Sequence, residues 1–175
     1  MTDQLKSGLR RLLMVLLCVG LLWGGLFWQG LSWNERGSIA QAADYNREAL
    51  LEHDFSNQDL TDSSFTKANL RQSDFSNSNL QGVSFFGANL ERVNFTNANL
   101  TNATLDSARL VDANLTNAVL EGAFAFNAQF DRASIEGADF TDVLLRDDVQ
   151  QKLCQSAKGT NPTTGRDTAE TLECF

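Results

Sequence analysis

A period of five runs through the chain from His53 to Leu145. Counted in fives from Phe55, eighteen of the nineteen positions to Leu145 are large and apolar. Phe alternates with Leu as far as Phe95, five Leu follow, and Ala125, Phe130, Ile135, Phe140 and Leu145 close the series. Two residues before seventeen of the nineteen positions sits a small residue, Ala eleven times, Ser three times and Val three times. An α-helix turns about 100° per residue, so this period would spread apolar groups around every face. A straight strand alternates faces with a period of two and would send successive members to opposite sides. A period of five therefore demands a corner in every unit.

The corner is visible. The last residue of each unit, from 57 to 142, is Asn six times, Gly four times and Asp three times out of eighteen. These residues tolerate positive φ and make tight turns. Between corners, the small and the large residue are two apart, so a short extended piece points both inward. The remaining positions (Asp54, Ser56, Thr61, Asn69, Arg71) are polar and face out. Extended steps and corners of this kind wind into a coil, and each coil buries its core only against its neighbours. A disordered, Asn/Ala-rich segment would carry no phased apolar core.

The units Ala68-Asn69-Leu70, Ala98-Asn99-Leu100 and Ala113-Asn114-Leu115 make this stretch resemble the pentapeptide-repeat family. The resemblance implies an all-β solenoid, a right-handed quadrilateral β-helix with four units per coil. Residues twenty apart would then stack, placing Phe55, Phe75 and Phe95 in one inner column and Phe65 with Phe85 in the opposite one.

Four segments are expected. Residues 1–42 read as an export signal: Lys6, Arg10 and Arg11 are a basic start, Leu12 to Trp28 is uncharged, and Ala40-Gln41-Ala42 is a small-x-small cleavage pattern that would leave Ala43 first. Alternatively, residues 12–33 could span a bilayer as an uncleaved anchor. Both versions send the repeats out of the cytoplasm. No Ser-rich transit sequence is visible, which predicts a bacterial rather than a plastid-imported chain. Residues 43–52, with Ala49, Leu50 and Leu51 on one side, are expected to form a short helix over the first coil, because an open coil end is an unpaired edge. Residues 53–145 form the β-helix. Residues 146–175 change period: Asp147 caps a helix carrying Val149, Leu153 and Ala157 on one face, Gly159 stops it, Asn161-Pro162-Thr163-Thr164-Gly165 is a turn, and Asp167 caps one more short helical turn. Short helices are thus expected at both ends.

Past residue 42 two cysteines remain, Cys154 and Cys174, and an isolated pair in an exported chain most simply forms a disulfide. A catalytic thiol has no nearby base, since His53 is the only His. The full chain has 14 basic and 22 acidic residues; without residues 1–42, which hold four of the former and two of the latter, it keeps 10 and 20, a net charge of −10. That acidity keeps a repeat protein soluble and opposes nucleic-acid binding. No metal or cofactor is expected: the outward Asp and Asn lack the ligand density of a calcium loop, and there is no Gly-rich phosphate loop.

Leu153-Cys154, Asn161-Pro162, Thr164-Gly165, Thr168 and Thr171-Leu172-x-Cys174 resemble the tail of lumenal pentapeptide-repeat proteins of cyanobacteria and chloroplasts. The implied address is the thylakoid lumen or periplasm of a cyanobacterium. The array has one irregularity: Ala125 replaces a large residue, with Phe124 and Phe126 beside it and Phe86 on the same outer wall. Either one of the two flanking Phe folds in to fill the space, or a terminal segment covers them, or they form with Phe86 a docking patch for a partner protein. The expected function is non-catalytic, a protein-binding or structural scaffold with an unidentified protein partner. Two alternatives remain open: a DNA mimic that binds a topoisomerase, as in the quinolone-resistance branch of the family, and a small-molecule binder or enzyme.

Overall fold

A computed structural model describes residues 42–174. The expected signal or anchor lies outside the described residues, apart from its last position, Ala42. Among the described residues no helix is long and apolar enough to cross a membrane.

The chain forms a stacked coil of four five-residue sides. Each side carries one isolated bridge to the residue twenty positions on, all of them parallel, and the column Asp44, Ser64, Ser84, Thr104, Phe124, Leu144 runs the full height. Three backbone bonds per unit hold neighbouring coils together. Phe65 N donates to Ser84 O (2.7 Å) and Lys67 N to Phe86 O (2.8 Å) in the coil above, and Ser64 N donates to Ala43 O (2.8 Å) in the coil below. Within the unit, Ala68 N donates to Phe65 O at 3.0 Å and closes a turn whose third residue, Lys67, has φ 58°. The corners from Arg47 to Asp142 share this conformation, with φ between 53° and 70°, except Asn127.

The inner columns stand as the resemblance implies. Phe55, Phe75 and Phe95 stack at centroid distances of 4.8 and 5.4 Å, and Phe65 lies over Phe85 at 5.2 Å. The two columns meet edge to face, 5.5 Å apart for Phe65 and Phe75. Such aromatic geometry adds about 0.5–1.5 kcal/mol per pair beyond burial. Beyond Phe95 the axis is filled by Leu, from Leu100 to Leu120, all fully buried.

The small inward position is where the wall crowds the axis. Ala103 is fully buried, whereas Thr101 is half-buried and turns its hydroxyl outward to Asn99 Oδ1 at 2.6 Å. Ala103→Leu is expected to destabilise by about 1–3 kcal/mol through overpacking. Thr101→Leu should stay within about 1 kcal/mol, as surface changes do. Urea melts of the two variants check this, and equal losses would refute the inward and outward assignments.

The start of the chain departs from expectation. Residues 43–52 form no helix; they continue the coil. Asp44 bridges Ser64 and Ala49 bridges Asn69, with Arg47 (φ 62°) and Glu52 (φ 53°) as corners. Tyr45 and Leu50 take the inward places, and the Tyr45 ring stacks on Phe65 at 4.7 Å. The physical reason is backbone pairing. Tyr45, Arg47, Leu50 and Glu52 donate to Ser64, Thr66, Asn69 and Arg71 carbonyls at 2.8–3.0 Å. A single isolated helical turn would leave its first N–H groups without partners. The coil is thus already formed at residue 43, well before residue 53, and no helical cap covers this end among the described residues.

At the other end the chain leaves the coil after Arg146 and forms helix α1, Asp147–Cys154. Arg146, not Asp147, stands at its N-cap and makes no side-chain cap; Asp147 supplies negative charge in the first turn instead. The helix ends with Gln155 as its cap, short of Gly159. Gly159 (φ 86°) instead lies against the backbone of Gly137, where a Cβ would meet Gly137 N at 3.1 Å. Helix α2, Thr168–Thr171, starts as expected at Asp167, whose carboxylate accepts from Ala169 N (2.9 Å) and Glu170 N (3.4 Å). Leu153 and Leu172 are buried against the last coil, and Cys154 is disulfide-bonded to Cys174, their Cα atoms 5.5 Å apart.

Candidate interaction surface

Five large apolar side chains are exposed among the described residues: Leu51, Phe86, Phe124, Phe126 and Leu144. Four of them share one wall. Phe124 and Leu144 follow Thr104 on one outward column, and Phe86 and Phe126 flank the same inward column on its other side. Exposure is 43% for both Phe124 and Phe126, so neither folds in to fill the space beside Ala125. That outcome removes the local-filling expectation, and no described part of the tail covers the two rings. Leu144 was not among the residues the sequence singled out, although its place one residue before Leu145 in the frame puts it directly above Phe124.

The wall is irregular at the same place. Asn127 alone among the corners lacks positive φ. Its backbone N–H and its side-chain amide both donate to Asp106 Oδ1 at 3.0 Å, from the coil below. Asp106 stands between Phe86 and Phe126 in sequence register, so one carboxylate interrupts the apolar strip. Beside this wall, a groove of about 400 Å³ separates residues 127–133 from α1. Phe130, Val149 and Leu153 line it, together with Asp131, Arg132, Arg146 and Lys152.

The tail is held by a polar cluster rather than by apolar packing alone. Asn161 is fully buried, and its side-chain amide donates to the carbonyls of Asn117 (3.1 Å), Ala118 (3.2 Å) and Gly137 (2.8 Å). Its Oδ1 accepts from Thr163 N and Thr164 N, which shapes the Pro162 turn. Arg166 bridges the Asp139 carboxylate (2.7 Å) and that of Glu121. The Asp139 side chain is fully buried, which alone would raise its pKa. The Thr141 hydroxyl and backbone N–H, the Thr164 side chain and the Arg166 guanidinium together outweigh that effect and hold the carboxyl below its ordinary value. Glu121 and Asp139 sit at outward places in their repeats, and the sequence read the 161–165 stretch as a turn only. Their partnership with Arg166 crosses 45 and 27 residues, and no local pattern announces it.

The chemistry-bearing residues do not converge. His53 is exposed and packs its ring on Phe55 at 4.3 Å in the first coils, while both described cysteines lie in the disulfide at the opposite end. Among the described residues no cluster of His, Cys, Asp and Glu is arranged to hold a metal ion.

Residues 38–115 match the family described as Pentapeptide repeat region, and residues 108–147 match Pentapeptide repeats (8 copies). The crystal structure of a pentapeptide repeat protein from the Arabidopsis thaliana thylakoid lumen aligns with 74% of this chain and 90% of that one, at 44% identity and a TM-score of 0.73. A right-handed quadrilateral β-helix is the fold this likeness implies. The Thylakoid lumenal 15 kDa protein 1, chloroplastic, of Arabidopsis thaliana is 60% identical over 38 residues, which span 22% of this chain and 17% of that relative. HetL, a pentapeptide repeat protein involved in heterocyst differentiation regulation in Nostoc, is 29% identical over 55% of this chain and 48% of its own, with a TM-score of 0.46.

Proposed function

Because this chain belongs to the pentapeptide-repeat family, we propose that it is a non-catalytic, exported protein-binding module whose docking surface is the wall bearing Phe86, Phe124, Phe126 and Leu144. The observation that carries the reading is the concentration of exposed large apolar groups on one wall of an otherwise polar coil. Contiguous exposed apolar groups mark interaction sites far more often than solitary ones do. Aromatic anchors are also the residues on which interface energy concentrates. The address is the thylakoid lumen or periplasm. It is supported by the lumenal origin of the Arabidopsis relatives, by the charge and apolar pattern of residues 1–42, and by the disulfide, which persists in oxidising compartments.

The test uses a Phe86→Asp/Phe126→Asp double variant. Both side chains are outward, so its thermal unfolding should match that of the parent. Cross-linking in isolated lumenal or periplasmic fractions, followed by affinity capture, should recover a protein partner with the parent chain. Recovery should fall about tenfold or more with the variant, as expected for loss of buried aromatic anchors. Undiminished recovery with the folded variant would refute the docking wall.

A further inference from the structure

We infer that the groove beside α1 is a second binding site, which takes an extended peptide segment of a partner protein as an added rung of the coil. The inference rests on the protein-binding reading above but uses different residues.

The site follows from where the chain stops coiling. On this side of the coil each rung makes the same three bonds. Leu110 N donates to Gln129 O (2.8 Å), Asp112 N donates to Asp131 O (3.0 Å), and Gln129 N donates back to Ala108 O (3.0 Å). One coil higher, the groups due to bond Phe130 N, Arg132 N and Ala128 O would come from residues 149–151. Those residues are helical instead. Among the described residues, Phe130 N, Arg132 N and Ala128 O make no hydrogen bond. Elsewhere on the last coil the tail supplies a substitute for one amide on each of two sides: Gly137 N donates to Lys158 O (2.9 Å) and Phe140 N to Thr171 Oγ1 (3.1 Å), while Ile135 N and Asp142 N make no hydrogen bond among the described residues. The side at 128–132 has no such substitute, and the 400 Å³ groove opens on it. An extended segment running parallel to 128–132 supplies two acceptors two residues apart and one donor, which is the β-augmentation mode of peptide recognition.

The side chains narrow the occupant further. The inward residue of the segment faces Phe130, Val149 and Leu153 and is apolar. The outward residue two positions after the donor stacks over Asp131. That carboxylate has no cation within ion-pair distance among the described residues. The coil shows how such a place is filled. Arg71 faces Glu91 one coil above it (3.8 Å), and Arg132 faces Asp112 one coil below it (2.6 Å). Arg132 and Arg146 are already paired, with Asp112 and Asp148. The segment therefore reads polar, apolar, then a Lys or Arg over Asp131.

Residues 67–74 of the chain itself, Lys-Ala-Asn-Leu-Arg-Gln-Ser-Asp, have this pattern and come from the same side of an earlier coil. They make a suitable probe as an acetylated, amidated octapeptide. Added at millimolar concentration to the folded chain, it should slow amide exchange at Phe130 and Arg132 about tenfold or more, as new hydrogen bonds do. Leu110 and Asp112, already bonded, should not change. The same peptide with Arg71→Glu should fail on the parent chain and bind the Asp131→Arg variant. Unchanged exchange at Phe130 and Arg132, or equal binding of the Arg and Glu peptides, overturns the inference. So does concentration-dependent protection of these amides without peptide, which would mean that a second copy of the chain fills the groove. The Phe86→Asp/Phe126→Asp variant should bind the peptide normally. If the peptide fails while that variant still loses its captured partner, the groove falls and the docking wall stands.

Discussion

Phe75→Ala is expected to destabilise the protein by about 3–5 kcal/mol, the range for removing a buried aromatic ring from a core that cannot collapse around the gap. The site is rigid for a stated reason. Phe75 is fully buried, with Phe55 on one side at 4.8 Å and Phe95 on the other at 5.4 Å. Phe65 and Phe85 meet its edge at 5.5 and 5.6 Å. The units of Phe65, Phe85 and Phe95 are bonded through the backbone to the coils above and below, and that of Phe55 to the coil above, so none can move in without breaking a rung. Phe130→Ala is the informative comparison. Among the aromatic rings of the described residues Phe130 meets only Phe140, at 6.4 Å, and it faces the groove beside α1, which can shift toward the space. Guanidinium unfolding should show the larger loss for Phe75→Ala, and Phe130→Ala should fall at or below about 3 kcal/mol. A reversed order would mean that the stacked rings contribute less than their burial implies.

The same regularity explains what the sequence could reveal. A phased core is a sum of identical local decisions, so the inward frame from Phe55 to Leu145 and the corners from Asn57 to Asp142 can be read directly. The misreading of residues 43–52 has a local cause. Tyr45 and Leu50 keep the frame, but their corners are Arg47 and Glu52, which do not announce positive φ. Ala49-Leu50-Leu51 looks like an apolar helix face, yet Ala49 and Leu51 are exposed and only Leu50 packs inward. Stacking on the next coil overrode the local propensity, as tertiary context commonly does.

The irregular wall was legible at Ala125, because a missing large residue breaks a strict pattern. The open edge at Ala128–Arg132 was not, since it depends on the residue at which the chain turns helical. Asn161 and Arg166 were invisible for a different reason. Their partners lie in coils 24 to 45 residues away, and a repeat gives all its outward places the same polar look.

Breaking the Cys154–Cys174 disulfide is expected to cost about 3 kcal/mol in the chain-entropy account of a loop this short. The loss should be local. The bond ties the end of α1 to the end of the tail, and between them Leu172 enters the core, Thr171 Oγ1 accepts from Phe140 N, and Gln150 Nε2 donates to Leu172 O at 2.6 Å. Upstream of α2 the tail has its own anchors in Asn161 and Arg166, which do not depend on the cysteines. Because each coil contacts only its neighbours, loosening the last one leaves the far coils bonded. Reduction, or the Cys154→Ser/Cys174→Ser variant, should therefore speed hydrogen exchange at Phe140 and Leu172 first. Exchange at Phe55, Phe75 and Leu100, whose amides bond to the coils above them, should stay close to that of the oxidised protein. Equal acceleration at all of these sites would show that the coil unfolds as a single unit and that the tail governs its whole stability.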